Sequence, residues 1–223
     1  MSILRQLLPA LCLLAGACSP QDSTSAPAQS IPKGSGYDFF VLSLSWSPTY
    51  CEVEGADANR QQCGAEASHG FVVHGLWPQN ESGWPEFCDS SEPSRVSDAT
   101  VRTMLDIMPS AGLIGHQWRK HGTCAGMNHE DYFAVTRAAF DAVSIPNELQ
   151  SGDARRTVSP DAVVDAFISA NPGMEAGGLA VTCDGRLLSE VRICMSHDLT
   201  FRTCDDVAAR SCRIGQATMP PRD

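Results

Sequence analysis

The chain has 223 residues, of which 43% are hydrophobic, and this is enough for one domain with a buried core. Its formal net charge of −10 at pH 7 argues against a protein that binds nucleic acid through a broad basic face. The charge does not exclude an enzyme that concentrates a few cations in one cleft.

The first residues differ in composition from the rest of the chain. Residues 1–17 carry one cation, Arg5, followed by the apolar run LLPALCLLAGA, which is typical of a signal peptide and too short to span a bilayer. The sequence allows two ways of processing this leader. Ordinary signal peptidase could cleave after AGA at 15–17, or Cys18 could be lipidated, because LAGAC resembles a lipobox. Residues 18–36, rich in Ser, Pro, Ala and Gly, predict a flexible tether. We therefore expect the folded domain to span residues 37–223.

Ten cysteines are present, and eight remain when Cys12 and Cys18 are set aside. They are Cys51, Cys63, Cys88, Cys124, Cys183, Cys194, Cys204 and Cys212. An even number in an exported chain predicts four disulfides, although the count alone leaves the pairing open. Zinc is the competing use of cysteine, but the chain contains no C-x-x-C pair, which disfavours it.

Two strands are predicted near the start of the folded part. Apolar and small polar residues alternate over 37–48, which predicts a buried strand closed by Pro48. The run FVVHGLW within 69–78 predicts a second strand, which Pro78 stops.

Capping residues mark three helices in the middle of the chain, at 97–109, 128–143 and 159–173. Ser97, Asn128 and Ser159 stand at their starts, where side-chain oxygens accept hydrogen bonds from the first turn. Later, LAVTC and RLLSEVRICMS flank Asp184-Gly185, which is a hairpin signal. Helices in the middle with strands at both ends predict an α+β fold.

The stretch GHQWRKHGTCAG at 115–126 gathers chemically active side chains. On a helix at about 100° per residue, one arc holds His116, Gln117, Lys120 and His121, while Trp118 points elsewhere, toward the core. A solvated polar face is the simplest interpretation. A helical zinc site is disfavoured because its ligands favour i, i+4 spacing and these histidines are five apart. A cysteine nucleophile is disfavoured because a disulfide is the expected state of the following cysteine.

A second motif supports catalysis. His74 lies inside an apolar strand, where a buried structural histidine is the simpler interpretation. However, HGLWP at 74–78 and HQWRKHGTC at 116–124 resemble, in this order, the two active-site motifs of the ribonuclease T2 family. The segment FVLSLSWSPTYC at 40–51 is similar to the first strand of that family, and the resemblance extends over residues 37–212.

The resemblance implies an α+β, ribonuclease T2-like fold with a central antiparallel sheet, packed helices and four disulfides. The implied pairs are Cys51–Cys63, Cys88–Cys124, Cys183–Cys212 and Cys194–Cys204. It also implies an exported, monomeric endoribonuclease of low base specificity that needs no metal or other cofactor. The enzyme would be periplasmic or secreted, or attached to the outer membrane if Cys18 is lipidated. RNA would be its substrate and DNA, which lacks the 2′-OH, would not.

The family reaction is transphosphorylation to a 2′,3′-cyclic phosphate, followed by slow hydrolysis to a 3′-phosphate. The ribose 2′-OH already lies beside its phosphorus, so no protein nucleophile is required. By resemblance, His121 is the general base and His74 the general acid, while His116 binds phosphate and Lys120 stabilises the equatorial oxygens. Histidine suits both proton-transfer roles because one ring must be neutral and the other charged.

Gln117 departs from the family pattern, which usually has glutamate there. A glutamine can hold a neighbour by hydrogen bonds but supplies no negative charge, so a catalytically weakened RNA- or protein-binding member of the fold is the alternative function. The base-binding residues are Trp77 and Gln79, together with Trp84 or Phe87, whose rings either stack on a base or pack in the core.

Overall fold

The computed structural model describes residues 30–65, 67–150 and 154–222. The predicted leader, Cys18 and residues 19–29 lie outside them. The compact unit begins at Ile31, which packs on the core, and Ser35 N donates a hydrogen bond to Ala125 O (3.1 Å). The chain thus joins the domain earlier than residue 37. No helix in the described part is long and apolar enough to cross a membrane.

A single, mainly antiparallel sheet forms the centre of the described domain. Its strands are β1 (Phe39–Trp46), β2 (Phe71–Gln79), β3 (Arg156–Val158), β4 (Leu179–Asp184), β5 (Leu187–Met195) and β6 (Ala217–Met219). The order is β2-β1-β5-β6-β3, with β4 also paired to β5, and only the short contact between β5 and β6 is parallel among the described strands. The predicted strands and the β4–β5 hairpin are confirmed. Contrary to the expectation from the sequence, Pro78 does not stop the second strand but pairs with Phe40 inside it, because β2 is an edge strand that tolerates proline.

The α-helices of the described chain lie mainly between β2 and β4. They are α1 (Ser47–Glu54), α2 (Arg60–Cys63), α3 (Asp98–Met104), α4 (Ala111–Lys120), α5 (His129–Asp141), α6 (Asn147–Gln150), α7 (Pro160–Ala170) and α8 (Asp205–Ala208). Ser97, Asn128 and Ser159 accept hydrogen bonds from the first turns of α3, α5 and α7, as predicted. These three helices end earlier than expected.

The two faces of the sheet carry different side chains because residues alternate along a strand. On β1, Phe40, Leu42, Leu44 and Trp46 are almost fully buried in the main core, beneath the helices. Tyr132 of α5 reaches this core and donates a hydrogen bond to a β2 carbonyl. The serines between the large β1 side chains belong to the opposite face of the sheet.

The pairing of β1 with β2 contains one irregularity. Ser43 pairs with Gly75 and Leu44 with Val73, so His74 is an extra residue with no partner in β1. In an uninterrupted register His74 would lie opposite Leu44 and face the core. The bulge instead gives the core position to Val73, which is fully buried, and turns His74 to the opposite face.

Four disulfides close the described structure: Cys51–Cys63, Cys88–Cys124, Cys183–Cys212 and Cys194–Cys204. These are the four pairs that the resemblance implies. The Cys88–Cys124 bridge joins the loop after β2 to the turn that follows α4. Beside it, Phe87 N donates a hydrogen bond to Lys120 O (2.8 Å), so this loop is held against the end of α4 by two bonds.

We expect replacement of both Cys88 and Cys124 by alanine to lower the free energy of unfolding by ~2–5 kcal/mol. The variant should also lose activity at temperatures where it remains folded, because the loop then moves relative to α4. The matched control replaces Cys51 and Cys63, whose bridge lies away from the cavity described below. Denaturant unfolding and kcat, measured on both variants, check this prediction. Equal kcat values for the two variants would contradict it.

Candidate active site

Helix α4 is fixed at both ends and through its buried face. Ser110 caps its start by accepting a hydrogen bond from Leu113 N (3.2 Å). Trp118 is fully buried, as predicted, and its Nε1 donates to Pro93 O (2.8 Å). This packing sets the rotation of the helix, so that His116 is exposed and Gln117 is buried. One expectation is wrong in detail: His121 is not in the helix, because its backbone (φ −120°, ψ −44°) already leaves helical geometry.

The predicted residues meet in one cavity of about 310 Å³ between α4 and the sheet. It is lined by all eight of them: His74, His116, Gln117, Lys120, His121, Trp77, Gln79 and Trp84. Arg192 and Arg210 line it as well, whereas no Asp or Glu of the described chain does. A protein of formal charge −10 thus gathers three permanent cations and three histidines around a single cavity.

His74 is held by a buried ion-pair network on β5. Its Nδ1 lies 2.5 Å from Glu190 Oε1, and Glu190 Oε2 accepts hydrogen bonds from Arg192 Nε (2.9 Å) and Nη2 (2.7 Å). Burial alone would raise the pKa of the Glu190 carboxyl. The hydrogen bond and charge of His74, together with Arg192, outweigh burial and hold that pKa at about 2. Glu190 is therefore ionised at any ordinary pH.

Trp77 connects the two motifs. Its Nε1 donates a hydrogen bond to Gln117 Oε1 (2.9 Å), and its ring stacks on His121 with 5.3 Å between ring centroids. Arg192 lies over the Trp77 ring at 5.1 Å. The glycine of the first motif makes this contact possible, because a Cβ at Gly75 would collide with Gln117 Oε1 and Trp77 Nε1. The Gln117 side chain is thus linked to the His121 ring through Trp77, while the direct contact between the two residues is the hydrogen bond from His121 N to Gln117 O (2.9 Å).

His121 is in the environment of a neutral base. Burial, and then the positive charges of Lys120, His74 and His116, lower its pKa to about 3. Its Nδ1 is buried with no hydrogen-bond partner among the described residues. The His121 ring is therefore uncharged and able to accept a proton from neutral pH down to mildly acidic pH.

His116 and Lys120 stand together at the mouth of the cavity. Burial, followed by the charges of Lys120, Arg119 and His74, lowers the pKa of His116. Lys120 Nζ lies 3.5 Å from Glu86 Oε2 and 6.0 Å from the centre of the Phe87 ring. Both partners belong to the loop that the Cys88–Cys124 disulfide holds, so this loop also places the ammonium group.

The candidate base-binding residues differ in exposure. Trp84 is 45% exposed and Arg210 lies over its ring at 4.6 Å, whereas Gln79 is buried at the end of β2. Phe87 is 60% exposed but stands outside the residues that line the cavity. The Trp77 ring is in contact with His121 and with Arg192, so it packs these two side chains and leaves less of its surface for stacking on a base.

Sequence reasoning missed Glu190, Arg192 and Arg210. A signal for the first two was present, because they are charged residues two positions apart in a mostly apolar strand and therefore share one face. No comparable pattern marks Arg210, which follows the short helix α8. Among the described residues, no group of three or more His, Cys, Asp or Glu side chains is arranged to hold a metal ion.

The sequence profile of the Ribonuclease T2 family matches residues 37–204, and the chain belongs to this family. It is 31% identical to a ribonuclease of Aeromonas hydrophila over 199 residues, which cover 82% of this chain and 83% of that protein. It is 26% identical to ribonuclease DdI of Dictyostelium discoideum, over 81% of this chain and 83% of the relative.

Solved structures share the fold. The RNase-related protein from Calystegia sepium aligns with a TM-score of 0.67 at 21% identity and covers 85% of this chain and 100% of its own. The SF11-RNase of Nicotiana alata aligns with a TM-score of 0.64 at 17% identity, over 84% of this chain and 100% of its own. The predicted ribonuclease T2-like α+β fold is confirmed.

We expect Gln117→Glu to shift the acidic, ascending limb of the kcat/KM profile to higher pH by about one unit. A general base works when it is neutral, so the rate rises as pH passes its pKa, and a carboxylate beside Trp77 would raise the pKa of His121. The pH profiles are measured at low and at high salt. Salt screens the long-range repulsion between RNA and the acidic protein more strongly than the short-range effect of residue 117, so a shift that persists at high salt is local.

Gln117→Met is the matched control, because it removes the hydrogen-bond acceptor of Trp77 without adding charge. Its ascending limb should stay in place. If the limb of Gln117→Glu also stayed in place, or moved to lower pH, Gln117 would not tune the base.

Proposed function

We propose that this chain is an exported, metal-independent endoribonuclease of low base specificity that cleaves RNA by transphosphorylation. One observation carries the proposal: His74 and His121 line the same cation-rich cavity in opposite environments. His121 is buried and neutral, whereas His74 is partly exposed and bonded to an ionised carboxylate. Such a pair supplies the base and the acid that the reaction needs at the same pH.

In the first step, His121 accepts the proton of the ribose 2′-OH while the P–O2′ bond forms. Lys120 and His116 face the non-bridging phosphate oxygens, and Lys120 stabilises the charge that builds up on them. His74 donates a proton to the 5′-oxygen as the P–O5′ bond breaks, which leaves a 2′,3′-cyclic phosphate. In the second step His74 accepts a proton from the water that attacks the phosphorus. His121 returns a proton to the 2′-oxygen as the P–O2′ bond breaks, which leaves a 3′-phosphate.

The lining of the cavity supports RNA as substrate. The local cations offset the repulsion between RNA and a protein of net negative charge. The exposed face of Trp84 offers stacking that every base satisfies, and the Gln79 amide presents both a donor and an acceptor, which supports low base specificity. Because each chemical role is filled by a side chain, the reaction as described uses no metal. DNA lacks the attacking 2′-OH and should not be cleaved.

We expect the mature protein to cleave RNA in the presence of a chelator and to produce 2′,3′-cyclic phosphate ends. His74→Ala and His121→Ala should each lose ~10²–10⁴-fold in kcat, the usual contribution of a general acid or base. His69→Ala, which changes a histidine outside the cavity, is the control and should remain active. Mass spectrometry of the RNA ends and initial rates check the prediction.

Other outcomes identify the alternatives. Binding of RNA without cleavage would favour the catalytically weakened binding protein. Loss of cleavage in chelator would indicate a metal-dependent hydrolase. A near-normal rate in either histidine variant would show that this histidine is not the general acid or base.

Export is the second part of the proposal. The leader-like residues 1–17 support it, and so do the four disulfides, which form in oxidising compartments. We further propose that Cys18 is lipidated and that residues 19–30 form the tether of an anchored, monomeric enzyme.

Cys18→Ser should then move the protein from the membrane fraction to the soluble fraction without a change in kcat, because the catalytic cavity lies entirely in the compact unit. Fractionation and mass spectrometry of the mature N-terminus check this expectation. An unmodified N-terminus on the native protein would rule out the anchor.

A further inference from the structure

Glu190 is a buried charge that the reaction described above does not use. It is 6% exposed, and an ionised carboxylate in such a position is costly unless it is fully paired. Both of its oxygens are paired here, Oε1 with His74 Nδ1 and Oε2 with the Arg192 guanidinium. A carboxylate held at both oxygens has little freedom to move, and its position fixes that of the His74 ring.

The contact between Glu190 and His74 depends on the shape of the sheet. Strand β1 lies between β2 and β5, so the two residues come from strands that are about 10 Å apart. Ser45 is the β1 partner of Glu190, and Ser43 is the partner of Arg192. These small side chains leave room above β1, and the bulge in β2 turns His74 toward that space.

We propose that Glu190, anchored by Arg192, is the positioning residue that presents His74 as the proton donor of the cleavage step. A carboxylate only accepts hydrogen bonds, so His74 Nδ1 must carry a hydrogen, and Nε2 is the nitrogen left to face the substrate. The transferred proton leaves Nε2 for the 5′-oxygen as the P–O5′ bond breaks, and Nδ1–H stays on Glu190. This role rests on the proposed function, in which His74 is the general acid.

Glu190→Gln is the informative substitution because it keeps size and shape. A glutamine has an acceptor oxygen at only one of the two positions that the carboxylate oxygens occupy, so one of the contacts to Arg192 and His74 Nδ1 loses its acceptor. With its oxygen on Arg192, the amide NH₂ faces Nδ1 and opposes the protonated ring. Arg192 is a less selective target, since its guanidinium also packs on Trp77 and through it on the His121 side of the cavity.

The test compares two substrates that differ only in the leaving group. Uridylyl-3′,5′-adenosine releases an alkoxide, which needs a proton, whereas uridine 3′-(4-nitrophenyl phosphate) releases a nitrophenolate, which leaves without one. We expect Glu190→Gln to lose about 10²-fold in kcat on the first and to stay within about threefold of the native protein on the second. His74→Ala should show the same split, and the double variant should be no slower than His74→Ala alone.

Asp106→Asn is the control for the loss of an ion pair. It removes the contact of Asp106 with Arg137, away from the cavity, and should leave both rates unchanged. Circular dichroism establishes that each variant is folded. If Glu190→Gln does not fold, Glu190→Gln/Arg192→Gln removes both charges of the buried pair. Relative to Arg192→Gln alone, it should lose rate on the adenosine substrate but not on the nitrophenyl substrate, because Arg192 also lines the cavity.

Equal losses on the two substrates, or no loss on either, would overturn the role of Glu190 and leave it a structural residue. Further loss in the double variant relative to His74→Ala would overturn it too, because Glu190 would then act on another group. If His74→Ala itself showed no split, the general-acid assignment would fail and the inference with it. If the native protein cleaved neither substrate, the proposed function would be wrong.

Discussion

The one extra residue in β2 decides on which side of the sheet His74 lies. In a strand that pairs without interruption, the position next to Val73 would face Leu44 and the helices, among side chains that exclude water. An imidazole there would be a structural element of the core. The bulge leaves His74 without a pairing partner in β1 and turns its ring to the face of the sheet that carries Glu190 and Arg192. The ring thereby joins His116 of α4 and His121, which directly follows α4, in the lining of one cavity.

The electrostatics of the site balance two opposite requirements. A cavity that binds a phosphodiester must collect positive charge, and the charges of Lys120 and the neighbouring histidines help to keep His121 neutral. In the proposed reaction His74 is the ring that carries the charge. Its Nδ1 lies 2.5 Å from Glu190, whose carboxylate lines the neighbouring cavity and not the cation-rich one. The Glu190 carboxylate thus contacts the His74 ring from outside the lining of the cation-rich cavity.

Much of the fold could be predicted because its signals are local. Caps such as Ser97 and Ser159, the Asp184-Gly185 turn and the alternation along β1 each depend on neighbours in sequence. Strands β3 and β6 were missed because three residues are too few to show a period. The motifs located the histidines and Lys120, but contacts between distant strands, such as Glu190 with His74, depend on the sheet order and the bulge. Neither can be read from spacing.

Gly75 also bears on the unusual residue at position 117. The absence of a side chain at Gly75 leaves a space that Gln117 Oε1 fills against Trp77, and a longer or branched side chain at 117 would not fit there. Glutamate has nearly the same volume and outline as glutamine. The site can therefore exchange the usual acid of the family for its amide without repacking. The charge at position 117 can thus change while the packing of this residue against Gly75 and Trp77 stays the same.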